Sequence, residues 1–444
     1  MDVAPGIRHH PRTRPTESSP ETQDPAIMDA FVIRGGKPLK GRVQISGAKN
    51  AALPVMAATL LSPGVHTLRN VPVLRDTITM GEVLQKLGAR VELGPRLCKI
   101  DTTNITSVEA PYDLVRTMRA SIYVLGPLLA RFGNARVSLP GGCAWGPRPV
   151  NLHLEGLKTM GAALEIEHGY IVGREVKLKG TNFNFDVVSV GATAQLMMAA
   201  VLANGRTVLD NVALEPDITV LGEVLNRCGA NISGLGTRRL VIEGVRELQP
   251  IDTTIIPDRI EAQTFLAAAA VTGGSITLES CDPSDMLSAI QKLEEAGCQI
   301  LPGTNEVTIT GPRRPYAVDV TTAPFPGFPT DMQAQMMALC SVAEGTSVIT
   351  DTIYLDRFTH VPELARLGAR IELKGNTAVV KGVERLSGAP VMATDIRASA
   401  ALVIAALVAE GETRISRIYH LDRGYEGLDQ KLVKLGASVE RIRE

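Results

Sequence analysis

Six times along this chain the same order of segments returns. An Ala-, Met- and Leu-rich stretch ends near a glycine and a short β-branched run follows. Then come a polar loop, an amphipathic helix, a Gly-Ala turn or near variant, and a final strand. The β-branched runs begin at Gly64, Gly133, Gly205, Gly274, Gly345 and Gly411, and the matching turns are Gly88-Ala89, Gly161-Ala162, Gly229-Ala230, Gly297-Cys298, Gly368-Ala369 and Gly436-Ala437. The period is about 70 residues, longer than that of the usual solenoid repeats, so each unit is a complete α/β element. Six units predict two globular halves of three, and two facing halves predict a cleft. A chain of 444 residues is also longer than one core can usefully serve.

Charge and composition exclude several classes. A net charge of −1 gives no reason to invoke nucleic acid or an anionic membrane. The longest apolar stretches, such as 398–409, are too short to span a bilayer, so no membrane insertion is expected. Cys98, Cys143, Cys228, Cys281, Cys298 and Cys340 show neither CxxC nor zinc-type spacing, which predicts reduced thiols and a cytoplasmic location. Residues 1–27 carry Pro5, Pro11, Pro15, Pro20 and Pro25 and almost no apolar run. They read as a disordered extension without a signal core, with Met28 a candidate start.

The Ala-rich stretches 49–61, 118–132, 190–203, 259–271, 331–343 and 397–409 are apolar nearly all round and predict buried helices. Amphipathic helices such as 77–87 and 425–435 should lie outside, with strands between the layers. The buried helices open with unusual residues: Lys49-Asn50, Arg119 with Ser121, Ser189-Val190-Gly191, Asp258-Arg259, Asp331, and Asp395 with Arg397. A helix N-terminus presents free N–H groups and partial positive charge, so six such ends around a cleft suit a polyanionic small molecule. Ordinary capping accounts equally well for Ser189, Asp258, Asp331 and Asp395. Lys and Arg at helix starts oppose the dipole unless an anion is present.

Ser46-Gly47-Ala48-Lys49-Asn50 lacks the Walker spacing, and Lys49 is either an anion ligand or a snorkelling surface lysine. Leu139-Pro140-Gly141-Gly142-Cys143-Ala144-Trp145-Gly146-Pro147-Arg148-Pro149 predicts an exposed, flexible loop, in which Arg148 would favour the Cys143 thiolate. The other five cysteines read as packing residues. Arg357 and Arg423 occupy equivalent loops of the fifth and sixth units. Each is suited to gripping phosphate or carboxylate, or to pairing with the adjacent Asp356 or Asp422. His153, His360 and His420 are isolated and read as structural. These features define a two-domain enzyme or binding protein with an anionic small-molecule ligand in a cleft.

The motifs SGAKNAALP from Ser46, APYDLVRTMRASIY from Ala110, LPGGC from Leu139, SVGAT from Ser189, FPTDMQAQ from Phe328, DRFTHVPEL from Asp356, ATDIRASA from Ala393 and IYHLDRGYE from Ile418 resemble the UDP-N-acetylglucosamine 1-carboxyvinyltransferase family of enolpyruvyl transferases. The resemblance runs from Phe31 to Arg443. It implies an α/β fold of two inside-out α/β barrel domains, each built of three repeated units with buried helices. The implied division is 1–27 as extension, 28–48 plus 257–444 as the catalytic domain, and 49–256 as a second domain carrying the Cys143 loop.

The implied reaction moves the enolpyruvyl group of phosphoenolpyruvate to the sugar 3-hydroxyl and releases phosphate, by addition and then elimination. On this resemblance Cys143 is the acid and forms a covalent adduct, Asp331 is the base, and Asp395 shuttles protons or holds the closed geometry. Lys49, Asn50, Arg148, Arg357, Arg397 and Arg423 attend phosphoenolpyruvate, and Lys49 and Arg423 also belong to the catalytic set. Asn50, Arg119, Arg148, Pro149, Val150, Asn151, Leu152, Ser189, Val190, Gly191, Asp331 and Ile353 attend the UDP-sugar. Neither metal nor cofactor is implied, and fosfomycin is expected to alkylate Cys143.

The chain departs from the family at Ala144-Trp145-Gly146-Pro147, at Val187 and at Asn151, which bears on nucleotide contacts and loop movement. Three other readings compete: the sister family that acts on shikimate 3-phosphate, a non-catalytic UDP-sugar-binding regulator, and a repeat-built interaction scaffold. The first lacks the LPGGC loop, the second needs no acid and base together, and the third predicts an apolar groove.

Overall fold

The computed structural model describes residues 29–115, 118–139 and 150–443. Cys143, Arg148 and Pro149, with the whole 140–149 stretch and residues 1–28, lie outside the described residues. Six four-stranded sheets match the six repeats. In the first, the β-branched run Val65–Arg69 pairs antiparallel with Leu97–Asp101, which pairs with Arg90–Gly94, while Asp252–Thr254 adds in parallel on the other edge. The second, third and fifth sheets repeat this plan with local strands. The fourth borrows Lys40–Gln44 as its parallel edge, and in the sixth Asp29–Arg34 sits between Glu412–Ser416 and Ser438–Arg443.

Apolar packing divides the chain into two cores. One gathers residues from Ala48 to Ile255, here called lobe one. The other gathers Phe31 to Ile45 with Ile260 to Ala437, here called lobe two. The two crossing segments run side by side. Gly47 bridges Pro257, Ala48 N donates to Ile256 O at 2.7 Å, and Asp258 N donates to Ser46 O at 2.8 Å. A buried charge pair pins this crossing: Glu261 accepts from Lys431 Nζ at 2.5 Å and from Ser46 N at 2.7 Å.

The Ala-rich helices are buried because they have no polar face to turn outward. They are Lys49–Ala58, Leu125–Phe132, Val190–Ala200, Arg259–Thr272, Gln333–Cys340 and Ile396–Ala406. Two begin later than the expected 118 and 331, each preceded by a 3-10 segment, Arg119–Val124 and Thr330–Met332. Pro127 explains the first case, since it has no N–H to extend the α-helical ladder back to residue 123. The helix expected over 425–435 is confined to Leu428–Lys434, because Gly427 takes a left-handed φ of 58° at its start.

The Gly-Ala turns share one geometry. Gly88, Gly161, Gly229, Gly297, Gly368 and Gly436 all have φ between 90° and 108°. The next residue closes a bond five residues back, as in Ala89 N to Leu84 O at 3.0 Å. This is the left-handed helix ending that glycine permits without strain.

One expectation holds only in part. The strands do not all lie between two layers. Leu97–Asp101 and Glu306–Thr310 alternate buried and exposed positions, so these strands keep one face in solvent. Asp29–Arg34 and Ser275–Glu279 are buried at consecutive positions, so these strands are covered on both faces. No helix among the described residues is long and apolar enough to cross a membrane.

Candidate active site

Lys49 is the first residue of the first inner helix and is only 7% exposed. Its Nζ lies 3.0 Å from Oδ2 of Asp76, in the first turn of the outer helix Arg75–Lys86 of the same lobe. Oδ1 of Asp76 accepts from Arg423 Nε at 3.0 Å, and Arg423 comes from the end of the 3-10 helix Ile418–Arg423 in lobe two. Burial pushes the Asp76 carboxyl up, but the charges of Lys49 and Arg423 outweigh it and hold the group below its ordinary range. The surface-lysine reading of Lys49 therefore fails. So does the pairing of Arg423 with Asp422, which bonds Arg441 at 2.7 Å and 3.0 Å.

A second cluster lies wholly in lobe two. Asp331 Oδ1 faces Arg357 Nη1 at 2.8 Å and Asp331 Oδ2 accepts from Arg397 Nη2 at 2.8 Å. Arg357 also donates to Thr330 Oγ1 at 3.0 Å, so it is not the partner of Asp356. Capping does not explain Asp331, because Pro329 holds the cap position of its 3-10 segment. Burial penalises the Asp331 charge, yet Arg397 and Arg357 hold this carboxyl far below the usual range. Asp395 is different. Its Oδ1 caps the sixth inner helix, accepting from Arg397 N at 2.9 Å and Ala398 N at 3.1 Å, while Oδ2 accepts from Thr359 Oγ1 at 3.3 Å. Asp395 thus anchors the turn that carries Arg397.

The tetrapeptide Arg423-Gly424-Tyr425-Glu426 joins the two clusters. Arg423 reaches Asp76, and the buried Tyr425 hydroxyl accepts from Arg397 Nη1 at 3.2 Å and from Gln335 Nε2 at 3.3 Å. Glu426 Oε1 accepts from Val73 N of lobe one at 2.8 Å. Gly424 is required by close approach, since a Cβ there would stand 2.4 Å from Ile396 Cγ2.

The remaining expected residues sit at helix starts of lobe one or in one loop of lobe two. Asn50 is exposed beside Lys49, and Arg119 opens its 3-10 segment. Ser189 caps the third inner helix, accepting from Ala192 N at 3.3 Å, and Val190-Gly191 form its first turn. Val150 is the cap of the helix Asn151–Thr159, which Asn151 and Leu152 begin. The Gly191 and His153 positions are neighbours: a Cβ on Gly191 would lie 3.2 Å from His153 Nε2. Ile353 is 38% exposed, its N–H held by Asp351 Oδ1 at 2.9 Å. Val187, one of the departures, is 67% exposed.

Sequence reasoning missed Asp76 and Tyr425. Asp76 looks like an ordinary first-turn acid, favourable to the helix dipole. Tyr425 belongs to the quoted DRGYE run, two residues past Arg423, which was the available signal. The five described cysteines are all buried. Burial pushes the thiols of Cys98 and Cys281 up to about 11 and that of Cys298 to about 12, as befits packing residues. The combined arrangement presents Lys49, Arg423, Arg357 and Arg397 around two carboxylates, four cations whose donors suit phosphate and carboxylate groups.

Residues 33–432 match the family described as EPSP synthase (3-phosphoshikimate 1-carboxyvinyltransferase). The chain is 56% identical over 417 residues, 94% of its length and 100% of the relative's, to UDP-N-acetylglucosamine 1-carboxyvinyltransferase of Geobacter metallireducens. It is 54% identical to the protein of the same name from Myxococcus xanthus, over 93% of this chain and 99% of that one. Among solved structures it is similar to the enolpyruvyl transferase NikO from Streptomyces tendae, with a TM-score of 0.85 and 27% identity over 94% of this chain and 100% of that chain. EPSP synthase from Acinetobacter baumannii gives a TM-score of 0.73 at 16% identity, over 94% and 100% of the two chains, a likeness of fold alone.

Proposed function

This chain belongs to the enolpyruvyl transferase family, among its UDP-N-acetylglucosamine 1-carboxyvinyltransferases, and from that membership we propose that it moves the enolpyruvyl group of phosphoenolpyruvate to the 3-hydroxyl of UDP-N-acetylglucosamine, releasing phosphate. In a bacterial cell this is the first committed step of peptidoglycan precursor synthesis. The observation that carries the reading is the meeting of Lys49 and Arg423, from opposite lobes, on one carboxylate next to the Arg357–Asp331–Arg397 cluster.

The reaction requires a proton on the methylene of phosphoenolpyruvate, attack of the sugar hydroxyl on C2, and loss of a proton and phosphate from the tetrahedral ketal. Cys143 supplies the acid and Asp331 the base. Lys49, Arg423 and Arg148 take the phosphate and carboxylate of phosphoenolpyruvate, and Arg357 and Arg397 support closure or that anion site. Cations already in place stabilise the departing phosphate with little reorganisation. Ser189, Val190, Gly191, Asn50, Arg119, Val150, Asn151, Leu152 and Ile353 receive the UDP-sugar.

In this reading the two cores are two domains, 28–48 with 257–444 and 49–256. UDP-N-acetylglucosamine draws them together, and the enzyme works in the cytoplasm. Fosfomycin alkylates Cys143. A coupled phosphate-release assay with phosphoenolpyruvate and UDP-N-acetylglucosamine tests the function. Release that depends on the UDP-sugar supports it, and release with shikimate 3-phosphate in its place would assign the chain to the sister activity.

A further inference from the structure

Asp76 has no role in the chemistry outlined above, yet its carboxylate bonds both Lys49 and Arg423. Its side chain is 7% exposed and that of Lys49 8%. A buried carboxylate with a buried ammonium is costly unless the geometry is good and the remaining lone pairs are used. Here Lys49 takes Oδ2 and Arg423 takes Oδ1, each at 3.0 Å. Arg423 is engaged at Nε, the inner edge of its guanidinium, so the Nη groups are those an anion would take. Its side chain is 31% exposed, the least enclosed member of the trio. Three residues further on, Glu426 accepts from Val73 N at 2.8 Å, three residues before Asp76. The two contacts dock the segment 423–426 of lobe two against the segment 73–76 of lobe one.

We propose that Asp76 is a positioning residue for phosphoenolpyruvate: it reaches across the cleft to fix Arg423 beside Lys49, so that approach of the lobes and assembly of the phosphate-binding cations are one event. The proposal rests on the function put forward above. Without the Asp76 carboxylate Lys49 would be a buried cation without its ion-pair partner, and Arg423 would turn to solvent with lobe two. Preorganisation then outweighs competition. Although Asp76 is an internal anion, it leaves the trio with one net positive charge and takes only the Nε donor of Arg423.

Steady-state kinetics of the full chain test this with Asp76→Asn, which keeps the shape of the side chain, with Arg423→Gln, and with the double variant. Asp76→Asn is expected to lower kcat/KM for phosphoenolpyruvate roughly thirtyfold or more, the scale for truncating one member of a buried charge pair. Calorimetric affinity for UDP-N-acetylglucosamine should stay within about threefold, since Asp76 bonds the cations Lys49 and Arg423 and none of the residues proposed for the sugar. In the Arg423→Gln background the further loss should shrink to about threefold, because Asp76 acts through Arg423. Equal losses in both backgrounds, or an Asp76→Asn enzyme with unchanged phosphoenolpyruvate kinetics, would overturn the proposal. Should Asp76→Asn not fold, Glu426→Ala, which removes only the second cross-lobe contact, decides the matter. A severalfold rise in KM for phosphoenolpyruvate supports the docking and no change refutes it. A wild-type chain with no turnover would remove the functional reading instead. Small-angle scattering of both proteins at saturating UDP-N-acetylglucosamine then decides alone, with a larger radius of gyration for Asp76→Asn expected and an unchanged one against it.

Discussion

Arg397 donates through Nη2 to Oδ2 of Asp331 at 2.8 Å. With Arg357 on the other oxygen, the carboxylate is saturated by cations and remains ionised throughout the neutral range. A group held so far down is a poor proton acceptor. In the proposed reaction, Asp331 serves as base once an incoming anion draws Arg357 and Arg397 towards itself. That proposal carries an expected order of events: phosphoenolpyruvate is seated before the sugar hydroxyl is deprotonated.

The same pairing predicts a stability signature. A carboxylate whose pKa falls on folding adds stability above its unfolded value, near 3.8, and that stability is lost as pH falls below it. Asp331→Asn leaves Arg397 and Arg357 without their shared anion and should cost about 3 kcal/mol at pH 7. The gap in unfolding free energy between wild type and variant should hold steady down to pH 4 and narrow only below it. Denaturant melts across that range check this, and a gap that closes between pH 7 and 5 would contradict the ion-pair assignment.

Tyr425→Phe removes the hydroxyl that accepts from Arg397 and Gln335 and that sits 3.0 Å from Thr264 Oγ1. Buried partners left unmatched cost about 1–3 kcal/mol of stability. The KM for phosphoenolpyruvate should rise about tenfold, while kcat changes less, because Arg397 keeps its bond to Asp331. A variant with unaltered KM would show that Tyr425 serves packing alone.

Two buried histidines predict an acid limb. His66 uses both ring nitrogens in its neutral form: Nδ1 accepts from Ile251 N at 2.9 Å, and Nε2 faces Ser62 O at 3.3 Å and Thr102 Oγ1 at 2.9 Å. Burial, opposed by the Ser62 carbonyl, pushes it down to about 4, and burial does the same to His360. Their contribution is complete above pH 6.5 and is lost as pH falls towards 4, since the unfolded chain binds those protons first. Thermal melts from pH 7.5 to 4.5 should show Tm falling in this window. The fall should be shallower in His66→Gln, and an identical slope would remove His66 from the account.

Thiol chemistry should single out one cysteine. Burial raises Cys98, Cys228, Cys281, Cys298 and Cys340, which makes them slow to form thiolate. Alkylation of the native protein, followed by peptide mapping, should mark Cys143 first. Cys143→Ala should sharply lower turnover and Cys228→Ala should not. Equal losses from the two would set aside Cys143 as the acid.

Much of this was legible in the order of residues. The repeat of Ala-rich run, β-branched run and Gly-Ala turn fixes helix, strand and left-handed ending locally, so six units are countable in the sequence itself. Lys49 and Arg423 announced themselves as cations at places where a helix start or a loop gains nothing from them. The placement of the sheets was not legible in the same way. Alternating burial in runs such as Leu97–Asp101 indicates one wet face, but the Ala-rich helices drew attention to layers instead.

The sequence by itself determined which segments become inner helices, where each turn reverses, and which side chains carry charge into an apolar setting. Those are consequences of backbone preference and of apolar pattern within a few residues. Only the tertiary structure decided the partners: Asp76 for Arg423 across 347 positions, Asp331 for Arg397 across 66, and Tyr425 for Arg397 across 28. An ion pair depends on distance in space and on the exclusion of water, and neither is encoded in the spacing of residues along the chain.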